Sequence, residues 1–319
     1  MGEFDLIERF FKRPPRHAVV GVGDDCAIWA PRAGHQLALS ADMLVEGRHF
    51  LSTVDPVHLG HKALAVNLSD LAACGATPQA FLLSLSMPRA DEIWLAGFSK
   101  GLLALADSHS CELIGGDTTQ GPLNIAITVM GDVPQGDAIL RRTAQAGDDV
   151  YVSGFLGDAR LALEAFRGTV SVPEPVFSAA RWRMECPDPR VKLGQALRGT
   201  ASAMADISDG LVGDLGHILQ SSRVGAEIEA SLAPGLMSTA ALWHCPEDLA
   251  LTCVLSGGDD YELVFTASPS VARQVQIAAN LSGTRVTRIG RITAQPGLVL
   301  RDAQGQALSH ALVSFDHFA

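Results

Sequence analysis

The chain has 319 residues, of which 47% are apolar and 18% charged, so it is not largely disordered and is long enough for two domains. Its 24 basic and 35 acidic residues give a formal charge of -11, which argues against a nucleic-acid partner because the phosphate backbone would be repelled. The amino terminus has no signal-peptide pattern and no apolar stretch approaches the roughly 20 residues that cross a bilayer, so we expect a cytoplasmic protein without a membrane partner.

Apolar, β-rich runs alternate with helical patterns along the chain. Strands are predicted near 18–22, 36–41, 79–87, 111–115, 123–133, 149–153, 203–207, 251–255 and 261–266. A helix is predicted over 56–74, with Asp55 as its N-cap and Gly75 at its end. Together these elements indicate a mixed α/β protein, of the α+β type.

A second helix is predicted directly after Asp209. Its apolar positions recur at helical spacing and would line one buried face; they are Leu211, Leu215, Ile218 and Leu219. Before this helix in the chain, the segment 168–190 contains four prolines and is predicted to be a long irregular excursion. The six cysteines are scattered without a Cys-x-x-Cys pair, so we interpret them as small buried side chains.

The domain boundary is predicted within Pro134 to Asp148, a segment rich in glycine, polar and charged residues. A fresh apolar strand follows it at 149–153. We therefore divide the chain into domains 1–145 and 146–319.

Aspartates recur where predicted strands run into small residues. The pattern appears at 21–25, 39–42, 114–117, 204–209 and 255–260. Taken singly, each segment is better explained as a turn or a helix cap, because Asp and Gly are common turn residues. Since strand ends in α/β sheets tend to converge on a ligand crevice, however, several of these carboxylates are expected to share one site.

Carboxylates that share a site would repel one another unless cations neutralise them. At about 4 Å and an effective dielectric of roughly 20, each like-charge pair costs on the order of 4 kcal/mol. Oxygen ligands without convergent His or Cys favour hard divalent ions, and Mg²⁺ retains waters while it bridges carboxylates to substrate phosphates. The acidic segments therefore predict Mg²⁺ bound together with a nucleotide.

One face of the predicted helix 56–74 carries only small and polar residues: Gly60, Ala63, Asn67, Asp70 and Cys74. By itself this face is as typical of close packing against a neighbouring subunit as of a site. Together with the other acids it makes Asp70 a candidate metal ligand.

Other nucleotide-binding motifs are incomplete or absent. Gly21-x-Gly23-x-x-Cys26 lacks the third glycine of a dinucleotide-binding loop, and the chain contains neither a P-loop nor a protein-kinase catalytic loop. The pair Arg141-Arg142 is usually just solvated, but an arginine fork matches phosphate oxygens bidentately.

The motifs, taken in order, resemble those of the thiamine-monophosphate kinase family. They are Gly-Asp-Asp-Cys-Ala at 23–27, Asp-Met-Leu-Val-Glu-Gly at 42–47, Lys-Ala-Leu-Ala-Val-Asn-Leu-Ser-Asp-Leu-Ala-Ala at 62–73, Gly-Gly-Asp-Thr-Thr at 115–119, Asp-Ile-Ser-Asp-Gly-Leu at 206–211, Ser-Gly-Gly-Asp-Asp-Tyr-Glu-Leu at 256–263 and Phe-Asp-His-Phe at 315–318. The resemblance spans the whole chain. It implies two aminoimidazole ribonucleotide synthetase-like domains, with mixed sheets flanked by helices, and a homodimer formed by the amino-terminal sheets with ATP near that interface.

The resemblance also implies roles for individual residues. Magnesium ions would be held by Asp25, Ser40, Asp42, Asp70, Asp117, Asp206 and Asp209, with Asp24 close by and Ala41 offering at most a backbone carbonyl. ATP would be contacted by Gly116, Asp117, Arg141 and Ser208, and the thiamine substrate by His49, Asp259 and Phe315. The catalytic group would be Asp42, Asp70, Asp117 and Arg141.

This sequence departs from the family pattern at a few of these positions. Ala41 replaces the usual threonine, Asp259 the usual glutamate, Thr143 the usual glycine and Phe315 a frequent tyrosine. The principal metal aspartates remain, so the departures bear mainly on substrate affinity.

The implied reaction is direct in-line transfer of the ATP γ-phosphate to thiamine monophosphate, assisted by several Mg²⁺ ions. This is the last step of thiamine diphosphate biosynthesis. Residues 1–145 would bind ATP and magnesium and form the dimer, and residues 146–319 would complete the substrate site. The rivals are a selenophosphate or aminoimidazole ribonucleotide synthetase-like ATPase, which a panel of acceptors would reveal, and a non-catalytic nucleotide-binding or maturation protein, which would bind ATP without acceptor-dependent ADP release.

Overall fold

The computed structural model describes residues 2–308, which form two compact units. The first contains residues 2–71 and 76–136. The second contains 72–75 and the described residues from 137 onward. The assignment of 1–145 and 146–319 to separate functions stays a prediction.

The first unit consists of one mixed sheet and the helices that cover it. Its elements are α1 (Glu3–Leu6), β1 (His35–Val45), α2 (Pro56–Ala73), β2 (Thr77–Met87), α3 (Glu92–Ser108), β3 (Glu112–Gln120) and β4 (Asn124–Pro134). The strand order is β1-β4-β2-β3; β4 is antiparallel to both of its neighbours, and β2 and β3 are parallel.

Helix α2 forms as its sequence predicts. The Asp55 carboxylate accepts a hydrogen bond from the Val57 backbone N–H at 2.8 Å, which satisfies a donor of the first turn. At the other end Gly75 has φ +67° and donates to the carbonyl of Ala72, which ends the helix in the left-handed conformation that glycine tolerates.

The small residues of α2 allow it to lie directly against α3. A Cβ on Gly60 would stand 2.0 Å from the Phe98 carbonyl oxygen, and a Cβ on Gly101 would stand 1.8 Å from the Val57 carbonyl oxygen. Both clashes are with backbone, so the two helices touch where neither has a side chain. Close packing, one of the two interpretations of this face, therefore accounts for Gly60 within the unit itself.

The second unit contains a six-stranded sheet and seven helices among the described residues. Its elements are β5 (Asp149–Ser153), α4 (Asp158–Phe166), α5 (Glu174–Glu185), α6 (Val191–Ala196), β6 (Ala203–Asp206), α7 (Leu211–Ser222), β7 (Gly225–Glu229), α8 (Ala233–Leu236), α9 (Glu247–Ser256), β8 (Leu263–Ala267), α10 (Ala272–Ser282), β9 (Val286–Thr293) and β10 (Gly297–Arg301). The order is β10-β7-β9-β5-β8-β6, with one parallel pair, β10 and β7. The four apolar side chains predicted for the inner face of α7 are buried in the core of this unit.

Three local predictions are wrong. Residues 251–255 lie in helix α9, because a short buried apolar run has no period that separates strand from helix. The excursion 168–190 contains the regular helix α5, whose Pro175 occupies the first turn, where its missing N–H costs nothing. Residues 18–22 form only isolated bridges, such as Val20 with Ile28.

Four of the six cysteines are buried, but Cys26 is exposed, so the prediction of burial is wrong at that position. Among residues 2–308 no helix is both long and apolar enough to cross a membrane.

Candidate metal and substrate site

The first unit brings three of the predicted metal ligands to one region. The Ser40 hydroxyl donates a short hydrogen bond to the Asp70 carboxylate, which joins β1 to α2. Asp42 lies two residues beyond Ser40 on β1, and therefore on the same face of the strand. Its backbone N–H donates to the Asn67 side-chain oxygen at 3.1 Å, and Asn67 is 1% exposed. The helix face with Asn67 and Asp70 thus supports the acidic part of β1.

Gly116 and Asp117 lie within β3, at the opposite edge of the sheet from β1. Gly116 has φ +147°, and a Cβ there would stand 1.8 Å from the Leu83 carbonyl oxygen, so only glycine fits. In register, Asp117 pairs with Ser84 of β2, whereas Gly116 pairs with Leu83. The exposed Asp117 carboxylate is therefore presented by a glycine-dependent strand segment.

Asp24 and Asp25 lie in an exposed turn, where the Asp25 N–H donates to the Asp24 carboxylate at 2.8 Å. The segment that leads to this turn is anchored by Glu112 at the start of β3. This buried carboxylate accepts hydrogen bonds from the backbone N–H groups of Arg16, His17 and Ala18.

His49 is the predicted substrate residue of the first unit. Its Nδ1 accepts a hydrogen bond from the Val45 backbone N–H at 3.0 Å, which places the ring at the end of β1. In a neutral ring with this bond, the proton is on Nε2, which is then a donor.

The prediction that the acidic segments follow strand ends is wrong for most of them. Asp42 and Asp117 lie inside β1 and β3, because both strands continue along their hydrogen-bonded partners past the aspartate. Asp259 follows helix α9, and Asp25 follows no strand. Asp206 alone among these ends a strand, β6.

In the second unit two loops join at the end of β6. The Asp259 N–H donates to the Ser208 carbonyl oxygen at 2.7 Å, and the Tyr261 N–H donates to the Ile207 carbonyl oxygen at 2.9 Å. Asp206 pairs in register with Leu263, the first residue of β8. The predicted residues Asp206, Ser208, Asp209 and Asp259 are therefore brought together by backbone hydrogen bonds.

Asp214 holds the first of these loops and was not predicted. Its carboxylate accepts the N–H groups of Ser208 and Asp209 at 3.0 and 3.1 Å, from the first turn of α7. Burial raises the pKa of Asp214 to about 7, against those backbone hydrogen bonds and the charge of Arg141, which lower it. Arg141 is thus close enough to influence the loop. An acid in the first turn of a helix is the signal that identifies such a capping group.

Two further buried acids hold the second loop and were also missed. The Asp260 carboxylate accepts the Gly157 N–H at 2.9 and 3.0 Å, and its burial raises its pKa well above the ordinary value. Glu262 is 1% exposed; burial opposes its ionisation, but hydrogen bonds and charges from Arg190 and Arg183 outweigh that effect and lower its pKa. The signal available in the sequence was the spacing of Asp260 and Glu262, two acids at alternate positions directly after Asp259.

Within residues 2–308 no group of three or more His, Cys, Asp or Glu side chains is gathered closely enough to hold a metal ion. The donors that are close, the hydroxyl of Ser40 and the carboxylates of Asp70 and Asp42, supply only oxygen. Such a set fits Mg²⁺, which keeps several waters and is completed by substrate phosphates. Phe315 lies outside the described residues.

Both units match one class of protein. Residues 23–133 match the AIR synthase related protein N-terminal domain, and residues 145–303 match the C-terminal domain of the same class. The fold class predicted from the sequence, two such domains with mixed sheets flanked by helices, is therefore confirmed.

Full-length relatives narrow the assignment. The Escherichia coli (strain K12) thiamine-monophosphate kinase is 42% identical over 324 residues, covering 100% of this chain and 98% of that protein. The chain belongs to the thiamine-monophosphate kinase family.

Solved structures agree with this assignment. The thiamine-monophosphate kinase from Stenotrophomonas maltophilia K279a is 43% identical, covers 97% of this chain and 98% of its own, and superposes with a TM-score of 0.86. A structure of AaThiL complexed with AMPPCP and TMP is 30% identical, covers 91% of this chain and 89% of its own, and has a TM-score of 0.75.

Proposed function

We propose that this chain is a thiamine-phosphate kinase, which transfers the γ-phosphate of ATP to thiamine monophosphate and completes the synthesis of thiamine diphosphate in the cytoplasm. The observation that carries the proposal is the 42% identity along the whole chain to the Escherichia coli thiamine-monophosphate kinase. The structure of the relative AaThiL, which is 30% identical, is complexed with AMPPCP and TMP. The gathering of Asp206, Ser208, Asp209 and Asp259 by two joined loops supports it.

The oxygen-rich residues of both units are proposed to hold magnesium: Asp25, Ser40, Asp42, Asp70, Asp117, Asp206 and Asp209, with the backbone of Ala41. When bound, Mg²⁺ would screen the two anionic phosphates from each other. Pre-arranged hydrogen bonds, such as that of Ser40 to Asp70, reduce the reorganisation that binding requires.

The remaining residues are proposed to bind and align the substrates. Gly116, Asp117 and Ser208 contact ATP, and the Arg141 guanidinium steadies the triphosphate by charge-assisted hydrogen bonds. The acceptor is itself a phosphate with a second pKa near 6, so it is largely ionised at neutral pH and requires no strong general base. We infer direct in-line transfer from ATP to the acceptor, without a covalent enzyme intermediate.

Thiamine recognition is assigned to His49, Asp259 and Phe315. The Nε2–H of a neutral His49 would donate to an acceptor on the substrate, and Asp259 would accept from it or pair with the cationic ring. Phe315 would present an aromatic face to that ring.

Product analysis tests the proposal directly. Purified protein is incubated with ATP, Mg²⁺ and thiamine monophosphate, beside a control without the acceptor, and followed by phosphorus NMR. We expect thiamine diphosphate to appear one-for-one with ADP. ADP without thiamine diphosphate would point to an ATPase with another acceptor, and ATP binding without any product to a non-catalytic protein.

A homodimer through the outer face of the first sheet is part of the proposal. Three apolar side chains at alternate positions of β1 are exposed on one face: Leu37 at 54%, Leu39 at 61% and Met43 at 54%. A second copy of the chain that covers this face would bury a continuous apolar strip.

Sedimentation measures the assembly, and we expect a mass of twice the 33.6 kDa chain. Leu39→Lys should yield the monomer, because a charge would be buried without a partner. Ile93→Lys is the matched control, since Ile93 is 87% exposed but lies on α3, and it should remain dimeric. A monomeric unmodified chain would contradict the homodimer.

A further inference from the structure

The loop that carries Asp259 has an unusual backbone. Asp259 has φ +63° and Tyr261 has φ +51°, and both are left-handed conformations that non-glycine residues rarely adopt. Such residues cost on the order of 1–3 kcal/mol each and persist only where the surroundings determine them. The loop therefore requires an external support.

That support is provided by the acids that alternate with the two strained residues. Asp260 is bound by the Gly157 N–H, and Glu262 accepts the Ser153 hydroxyl at 2.6 Å. Both contacts are with residues 153–157, which comprise the last residue of β5 and the loop that follows it. The strained loop is thus attached to a neighbouring loop at every second residue.

Glu262 is in turn the centre of a buried ion cluster. Arg190 donates to both of its oxygens at 2.6 Å, and Arg183 donates to Oε1 at 2.7 Å. The Arg183 guanidinium also donates to the Phe155 carbonyl oxygen at 3.0 Å, so it joins Glu262 to the 153–157 segment.

Gly154 shows how closely the parts fit. A Cβ at this position would stand 2.0 Å from Glu262 Oε1, so only glycine leaves room for the carboxylate. Arg183 lies in α5, in the part of the chain where the sequence suggested an irregular excursion. The cluster supplies that helix with a specific contact to the loop of Asp259.

We propose that Arg183 and Arg190 are positioning residues for the thiamine substrate: through Glu262 they hold the loop in the left-handed conformation that presents Asp259. The role in binding thiamine monophosphate rests on the proposed function, whereas the support of the Asp259 loop by Arg183 and Arg190 does not. Replacing Glu262 itself would remove the carboxylate that Arg183 and Arg190 share, leave Arg190 with Asp188 as its remaining ion-pair partner, and destabilise the fold. Arg183 is the better position to test, because Arg190 would still pair with Glu262 at both oxygens.

The test compares three variants. Arg183→Gln removes the charge that joins the two loops, Arg183→Lys returns a cation of shorter reach, and Arg181→Gln is the matched control. Arg181 is on the same helix and pairs with Glu185, four residues further along that helix, at 2.7 Å. Hydrogen–deuterium exchange of the Asp259 and Tyr261 amides and steady-state kinetics with each substrate are measured for all three.

We expect Arg183→Gln to speed exchange at both amides and to raise the KM for thiamine monophosphate about tenfold, with the KM for ATP changed less than about twofold. Arg183→Lys should recover part of the loss, and Arg181→Gln should match the unmodified protein. Unchanged exchange in folded Arg183→Gln would overturn the structural part. Faster exchange with equal changes in both KM values would overturn the substrate role. An unmodified protein that forms no thiamine diphosphate would refute the proposed function instead, and the exchange rates would still decide the support of the loop.

Discussion

Substituting Asp42 by asparagine is expected to lower kcat by about a thousandfold, because the carboxylate charge that would neutralise Mg²⁺ is lost while its volume is kept. The fold should be unaffected, since it is the Asp42 backbone N–H, and not its side chain, that donates to Asn67. Asp70→Asn should lower kcat to a similar extent, because the Asp70 carboxylate accepts the Ser40 hydroxyl hydrogen bond and belongs to the same proposed metal site as Asp42.

The measurement is the rate of thiamine diphosphate formation at saturating substrates across a magnesium titration. Asp137→Asn removes the same charge from an exposed residue without a proposed role and should retain full activity. Thermal unfolding verifies that both variants are folded. Full activity in Asp42→Asn would contradict the metal assignment, and a loss shared with Asp137→Asn would indicate that net charge alone is responsible.

Replacing Gly101 by alanine is the substitution for which we expect a large loss of stability, roughly 3 kcal/mol or more. The added Cβ would stand 1.8 Å from the Val57 carbonyl oxygen and 2.7 Å from its carbonyl carbon. Because these are backbone atoms of α2, no side-chain rotation relieves the overlap, and α2 and α3 must move apart.

The same substitution at Gly216 is the control. Gly216 lies inside α7, and a Cβ there meets nothing within 4 Å, so alanine should stabilise by about 0.5–1 kcal/mol through the lower entropy of the unfolded chain. Urea unfolding of both variants measures the two changes. Similar stabilities would show that the contact between α2 and α3 is not as close as these distances require.

The secondary-structure predictions that the structure confirms depend on interactions between residues close together in the sequence. Asp55 caps α2 through a residue two positions away, and Gly75 ends it by its own backbone freedom. The inner face of α7 follows from the spacing of four apolar residues. The family motifs likewise identified candidate site residues, because each motif is a short continuous segment.

The errors occur where a partner distant in sequence decides the structure. Residues 251–255 are apolar and buried in either a strand or a helix, so local pattern did not distinguish the two. β1 continues beyond Asp42 because β4 pairs with it from His35 to Val45. The residues around Asp42 do not indicate that such a partner strand exists. The contribution of α5 through Arg183 required the contact with Glu262, 79 residues further along the chain.

The sequence by itself determined the family, the class of fold and the oxygen-rich chemistry of the site, since these depend on residue identities and short spacings. Only the tertiary structure decided which residues meet: Ser40 with Asp70, Ser208 with Asp259, and Glu262 with its two arginines. It also decided the left-handed backbone of Asp259 and Tyr261, a conformation that is unfavourable locally and is held by buried groups from other parts of the second unit.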